Sequence, residues 1–262
     1  MDWSRIKTIF ILSFLVLDIY LVYQFLNTKD EATYELLKEA SIEDKLKNED
    51  IQYSELPKVL QKERYISVKP KVFSKDEMPS GKLPQAGGDG TTLRVTLEKP
   101  IKLSGKFDPS ELGPYIKGFV AYGAEYQFWE KDDATKTIIY YQQYKDKTMY
   151  HNLNGKLTFH LNAQNEVYAY DQTYLVFQEE LSERQEVLPA LGAIETLYKK
   201  GLLKPKSKIK VELGYSTLVQ LAASQVLAPT WRIIVDGKES LFVQGFEGQV
   251  IQFDSEENKA TE

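Results

Sequence analysis

His151 and His160 are the only two histidines of a chain that has no cysteine, so acid–base or metal chemistry has few side chains to draw on. They lie nine residues apart, on either side of Asn154-Gly155. That dipeptide signals a hairpin turn, and a hairpin there would bring the two rings near each other. No HExxH spacing accompanies them. Without cysteine there is no thiol nucleophile, disulfide or iron–sulfur cluster. Ordinary strand histidines are therefore expected, with no metal site.

Ser207 and Lys210 form an SxxK string, the spacing of a nucleophilic serine and a lysine base. In penicillin-binding enzymes that string opens a helix, and SDN and KTG motifs lie elsewhere. Here it sits in KPKSKIKV, which reads as a strand, and both companion motifs are absent. Gly87-Gly88-Asp89-Gly90 has neither the spacing of a dinucleotide fingerprint nor the Gly-Lys-Ser/Thr of a phosphate loop. Asp132-Asp133 could supply a glycosidase carboxylate, but it falls in a turn, where aspartate is favoured for local hydrogen bonding. The residues thus predict no catalytic, cofactor-binding or metal residue, and no cofactor or small-molecule substrate.

Aromatic side chains are the other candidates. The chain has 17 tyrosines and 12 phenylalanines. Many crowd one stretch, among them Tyr126, Trp129, Tyr140, Tyr144, Tyr168 and Tyr170. Period-two placement predicts Tyr168 and Tyr170 on one strand face, and Tyr140 and Tyr144 on another. Cross-strand pairing within a core is the expected use; an exposed platform for a protein, peptide or glycan is the alternative.

The composition narrows the class. The 262 residues are 42% hydrophobic and 27% charged, with a net charge of −5. A pI near 5.4 argues against a general nucleic-acid binder, which needs a basic footprint. Mean hydropathy is −0.39, an average that hides one apolar segment. Residues Ile6 to Leu26 form a run of 21. As a helix it would be about 31 Å long, which matches a hydrocarbon core of about 30 Å. Arg5 and Lys7 stand at its start, and Lys29, Asp30 and Glu31 follow it, so the positive-inside rule places the N-terminus in the cytoplasm and the rest outside. A cleaved signal peptide is the competing reading, but the run is longer than a usual signal core and no small-x-small cleavage site follows.

Asp18 lies near the middle of that run. A central aspartate costs about 2.5–3.5 kcal/mol even on the lenient insertion scale, and it is relieved by protonation or by a polar partner on another helix. Helical spacing puts Ile11, Phe14, Leu15, Leu21, Val22 and Phe25 on the same side as Asp18. This face is the expected interaction site with other transmembrane helices.

The elements beyond the anchor predict an α+β fold. It comprises a single N-terminal transmembrane helix and then an extracytoplasmic domain of antiparallel sheets with a few helices. Asp30 to Asp50 reads as an amphipathic helix with Leu36, Leu37, Ala40 and Leu46 as its apolar positions. Strands are expected at Tyr65–Phe73 and Thr92–Leu97, with a flexible loop at Pro79–Gly90 between them. Asp108-Pro109 starts a short helix. An antiparallel meander is expected from Glu125 to Phe177, including a hairpin at Asn154-Gly155. A helix follows over Glu186–Lys200, then strands at Lys208–Leu213, Trp231–Val235 and Ser240–Gln244. The expected organisation is 1–29 for the cytoplasmic N-terminus and anchor, 30–120 and 121–253 for two outer subdomains, and 254–262 for a disordered tail.

The opening MDWSRIKTIF, the single anchor, and the closing PTWRIIVDG with GFEGQV resemble the YycI (WalI) family of Bacillus-type bacteria over nearly the whole chain. The resemblance implies a non-enzymatic, membrane-anchored regulator that acts with YycH on the sensor kinase WalK, within the WalK–WalR system that controls cell-wall metabolism. It also implies a mixed fold related to domains of YycH, and placement in the cell membrane, spanning once. Two rivals are a cell-wall glycan hydrolase or esterase, which needs a pocket of convergent titratable groups, and a wall-ligand-binding module, which needs an aromatic-lined groove.

Overall fold

The structure, a computed structural model, describes residues 3–36, 41–57, 60–74, 85–86, 90–221 and 223–253. The chain divides into two compact units, Met1–Asp50 and Ile51–Glu262. The first holds α1 (Trp3–Leu36) and α2 (Ile42–Asn48). Ser41 starts α2, its Oγ accepting from the backbone N–H of Asp44 at 3.2 Å, which satisfies one of the helix's free donors. The apolar run 6–26 therefore lies within one continuous helix. Of the residues expected to form an amphipathic helix after it, Leu37 and Ala40 lie outside the described residues.

The second unit contains, in order, β1 (Gln52–Tyr53), β2 (Lys62–Glu63), β3 (Ile66–Pro70), β4 (Gln85–Ala86), β5 (Leu93–Lys102), α3 (Gly113–Phe119), β6 (Tyr126–Asp132), β7 (Thr137–Tyr144) and β8 (Lys147–Tyr150). It continues with β9 (Lys156–Leu161), β10 (Glu166–Gln172), β11 (Leu175–Glu180), β12 (Gln185–Glu186), α4 (Ala190–Lys199), β13 (Lys208–Gln220), β14 (Gln225–Val235), β15 (Glu239–Gln244) and β16 (Val250–Ile251). Among the described residues, 14 strands hydrogen-bond into one sheet: ten follow the path β11-β3-β14-β13-β8-β7-β9-β10-β5-β4, while β1 joins β13, β6 joins β7, β15 joins β14 and β16 joins β15; β2 and β12 form a separate ribbon. Pairing is antiparallel except where β13 meets β1 and β8. The fold is mixed α+β, as the element pattern predicts.

Alternation sorts the side chains. On β9, Leu157, Phe159 and Leu161 are buried while Lys156, Thr158 and His160 face outward. The inward set joins Leu112 and Ile116 beneath α3, and Ile138 and Tyr140 from β7, in one core. Ile66, Val68, Met149, Leu175, Tyr215 and Leu227 form a second core. Asp236-Gly237 turns β14 into β15 with positive φ at both positions, 53° and 69°, the backbone of a two-residue hairpin.

Several expectations are corrected. β9 pairs with β7 and β10 rather than with β8, so Asn154-Gly155 is no hairpin turn. It belongs to a single 3-10 turn, in which the Asn154 N–H donates to the Asn152 side chain at 2.9 Å. The two-residue turn lies earlier, at Lys145-Asp146, where φ is 48° and 62°. Tyr168 and Tyr170 do not share a face, because a bulge between Val167 and Ala169 shifts the register; Tyr168 is exposed and Tyr170 fully buried. The helix expected from Glu186 begins only at Ala190. Pro189 disfavours the helical conformation at Leu188, and Gln185–Glu186 pair with β2 instead. β5 runs on through Pro100, which a bulge opposite Val167 and Ala169 leaves outside the regular ladder. Residues 254–262 and most of the expected loop 79–90 lie outside the described residues.

Gly214 sits where β13 meets β8. A Cβ there would overlap the Thr148 carbonyl oxygen and the Tyr150 ring, neither of which is a flexible chain end. Gly214→Ala is expected to destabilise the protein by about 2–3 kcal/mol. Gly105→Ala, with open space around it, is expected to be near neutral. Thermal unfolding of both variants beside the parent checks this; equal midpoints for the two would contradict it.

Candidate functional site

The predicted interaction face lies on α1. Ile11, Phe14, Leu15, Leu21 and Val22 are each more than half exposed, and Asp18 is exposed among them. The side chain of Phe25 lies outside the described residues. Exposure is not confined to that face: Leu12, Val16, Leu17, Ile19, Tyr20 and Tyr23 are exposed as well. A helix apolar on every side is normally covered, by protein or by lipid. Among the described residues no helix is long and apolar enough to cross a membrane, so a span over residues 6–26 is not shown.

The two histidines have separate surroundings. His151, at φ 50°, packs in an aromatic group with its ring 4.5 Å from Phe253 and 5.1 Å from Trp129. The Arg232 guanidinium covers the Trp129 ring of that group, 3.8 Å from its centroid. Arg232 also donates to Ser240 Oγ at 3.0 Å. This cluster uses its aromatics for packing, as cross-strand pairing predicts.

His160 belongs to a polar rung that sequence reasoning did not find. Its Nε2 donates to Asp171 Oδ2 (2.9 Å), and Arg94 grips the same carboxylate with Nε to Oδ1 (2.6 Å) and Nη2 to Oδ2 (2.9 Å). The three residues stand on β9, β10 and β5. The β10 bulge sets the register that pairs Asp171 with Arg94 and Thr158, and no sequence motif marks it. A carboxylate orienting a histidine is half of a catalytic triad. Here Arg94 neutralises the carboxylate, and among the described residues no serine or threonine hydroxyl is hydrogen-bonded to His160. The rung acts as a cross-strand clamp.

The remaining candidates serve local structure. Ser207 Oγ donates to the Lys204 carbonyl (2.7 Å), and Lys210 pairs with Glu212 at 2.8 Å. Asp132 accepts from Ala134 N at 2.8 Å, and Asp133 pairs with Lys131. Among the described residues, no group of three or more histidine, aspartate or glutamate side chains is placed to hold a metal ion.

Burial alone would raise the Asp171 carboxyl, but the hydrogen bonds from Arg94 and His160 and their charges hold it below the usual carboxylate range. A lowered folded pKa stabilises above the unfolded value of about 3.9 and stops doing so as pH falls through the folded value. Asp171→Asn is therefore expected to cost about 1 kcal/mol at pH 7, and the gap should close below about pH 4. Urea unfolding across that range checks it, and a gap that persists in acid would refute the electrostatic origin.

Compared with known proteins, the chain matches the family model described as "YycI protein" over residues 31–247. No curated protein matches. Among solved structures, it is similar to an uncharacterized protein from Eubacterium rectale at 10% identity and a TM-score of 0.45, with 78% of this chain and 91% of that one covered. A likeness of that size carries no argument. The family match takes in most of the chain, including all the strands of the 14-stranded sheet except β16, and the chain therefore belongs to the YycI family.

Proposed function

We propose that the protein is a membrane-anchored, non-enzymatic regulator that, together with YycH, binds the sensor kinase WalK and biases its signalling. Family membership carries this reading, since it points to a regulatory, non-catalytic role in the WalK–WalR two-component system. The anchor is the apolar run 6–26, which α1 carries in one continuous helix. Support for it comes from the exposed apolar side chains around α1 and from the basic residues at its start. The outer unit then lies outside the cytoplasm. On this reading Asp18 and its neighbours Ile11, Phe14, Leu15, Leu21, Val22 and Phe25 meet the helices of kinase and partner.

Regulation of this kind needs a difference in binding free energy between two kinase states. A helix that gripped both states equally would shift nothing, however tightly it bound. Asp18 is suited to such discrimination, because its stabilisation depends on whether a polar group faces it in a given helix arrangement.

Full-length protein is expected to co-purify WalK and YycH from detergent-solubilised membranes. Asp18→Leu is expected to weaken kinase recovery several-fold, in keeping with about 1 kcal/mol for one interhelical polar contact. Recovery equal to the parent would remove Asp18 from the mechanism. Release of the mature protein into the medium with residues 1–30 clipped off would remove the anchor altogether.

A further inference from the structure

The β2–β12 ribbon, the β7–β8 turn, the start of β3 and the end of β11 surround a hollow of about 160 Å³. Its lining is cationic in a chain of net charge −5. Lys62, Arg64, Lys145, Lys147 and Arg184 line it, against two carboxylates, Glu63 and Glu180. Both carboxylates are already engaged. Glu63 pairs with Lys147 at 3.1 Å and accepts from the Tyr215 hydroxyl at 3.0 Å. Glu180 pairs with Arg64 and, at 3.1 Å, with Lys145. These pairs fix three of the cations in place without cancelling the positive excess. The other two, like Lys145, are exposed at the rim. Lys62 has only a long pairing of 3.4 Å with exposed Glu186, and Arg184 makes no direct ion pair among the described residues, its charge acting on Glu180 from farther off.

Five cations held around one small hollow repel each other, and an anion at the centre relieves that cost. Lysines and arginines already positioned by carboxylates lose little freedom on gripping it. The excess of three charges matches an oxyanion with two negative charges on one centre better than a single carboxylate. The volume, well below the roughly 300–1,000 Å³ of a drug-sized site, has room for a tetrahedral anion and a few waters but not for a large ligand.

We propose that this hollow binds a phosphate dianion, either free or as the head group of a phosphate monoester, with Arg184, Lys62 and Lys145 closing on it from the rim and Arg64 and Lys147 holding it from within. The site is independent of the kinase-regulating reading, and either can fail without the other.

Isothermal titration calorimetry of the full-length protein in detergent tests it. The titrants are sodium phosphate, glycerol 3-phosphate, and sodium chloride at matched ionic strength. Saturable binding of at least one phosphate is expected, without a matching response to chloride. Arg184→Ala and Lys62→Ala should each weaken it about tenfold by removing a charge-assisted contact. Both are exposed, so the thermal midpoint should not move, and Lys238→Ala, an exposed lysine elsewhere, should bind as the parent does. Tighter binding of glycerol 3-phosphate identifies an ester as the source, and equal or tighter binding of free phosphate identifies the ion itself; both support the site. Absence of saturation, an equal response to chloride, or unchanged affinity in Arg184→Ala and Lys62→Ala overturns it.

Discussion

Two residue pairs, Tyr215 with Met149 and Ser216 with Tyr150, make the parallel seam through which β8 joins β13. The path of the sheet runs through it: β11, β3 and β14 lie on one side, and β7, β9, β10, β5 and β4 on the other. A seam this short leaves backbone groups around it without ladder partners, and buried backbone groups must find partners somewhere. Side chains supply them. Gln142 donates from Nε2 to the Leu175 carbonyl (2.9 Å) and accepts from the Leu175 N–H at Oε1 (2.8 Å), so one amide side chain stands in for a strand neighbour. Asn152 accepts from the Asn154 N–H at Oδ1 (2.9 Å) and also ties side chains together, donating to Gln225 Oε1 at 2.6 Å and to Thr217 Oγ1 at 2.9 Å. These amides explain why buried polar residues gather here in a fold whose cores are otherwise apolar.

The seam also decides what lies near the charged hollow. Tyr215 is the residue after Gly214, and its hydroxyl reaches Glu63 from inside the second core. Burial and the nearby Glu63 carboxylate both push the Tyr215 phenol well above its usual pKa, so it remains a hydrogen-bond donor to that carboxylate. Gly214 lets β8 approach closely enough for this geometry to exist.

What the sequence made legible followed local rules. Strict alternation over Lys156–Leu161, the Asp236-Gly237 turn and the Asp108-Pro109 start each depend on a few adjacent residues, and each is present. What it hid depended on distant partners. The Lys145-Asp146 turn has no glycine, and its type is imposed by the pairing of Gln143 with Thr148. The bulge in β10 answers irregularities in both neighbours, so Tyr168 and Tyr170 part company for a reason that lies in β5 and β9. The Arg94–Asp171–His160 rung inherits that bulge. On α1 the helical state of the apolar run was legible, because a long apolar run needs no partner to be recognised.

The apolar character of α1 limits how it could choose partners in a bilayer. Lipid chains are as apolar as leucine, so a helix exposing leucine, isoleucine and valine on all sides gains no hydrophobic advantage from meeting another helix. Selectivity must then come from close backbone packing at small residues or from polar contacts. α1 contains no glycine from Trp3 to Leu36, which removes the glycine-mediated form of close packing. Ser13 and Asp18 are the non-aromatic polar residues between Ile9 and Tyr23. A serine can satisfy itself on its own helix by bonding the carbonyl one turn back. In the proposed span Asp18 would be too short to reach either interface, and its charge would be costly in lipid. On the proposed anchor reading, the information that distinguishes one partner from another would be concentrated in a single carboxyl group, and the surrounding apolar face would set only how closely that group can be approached.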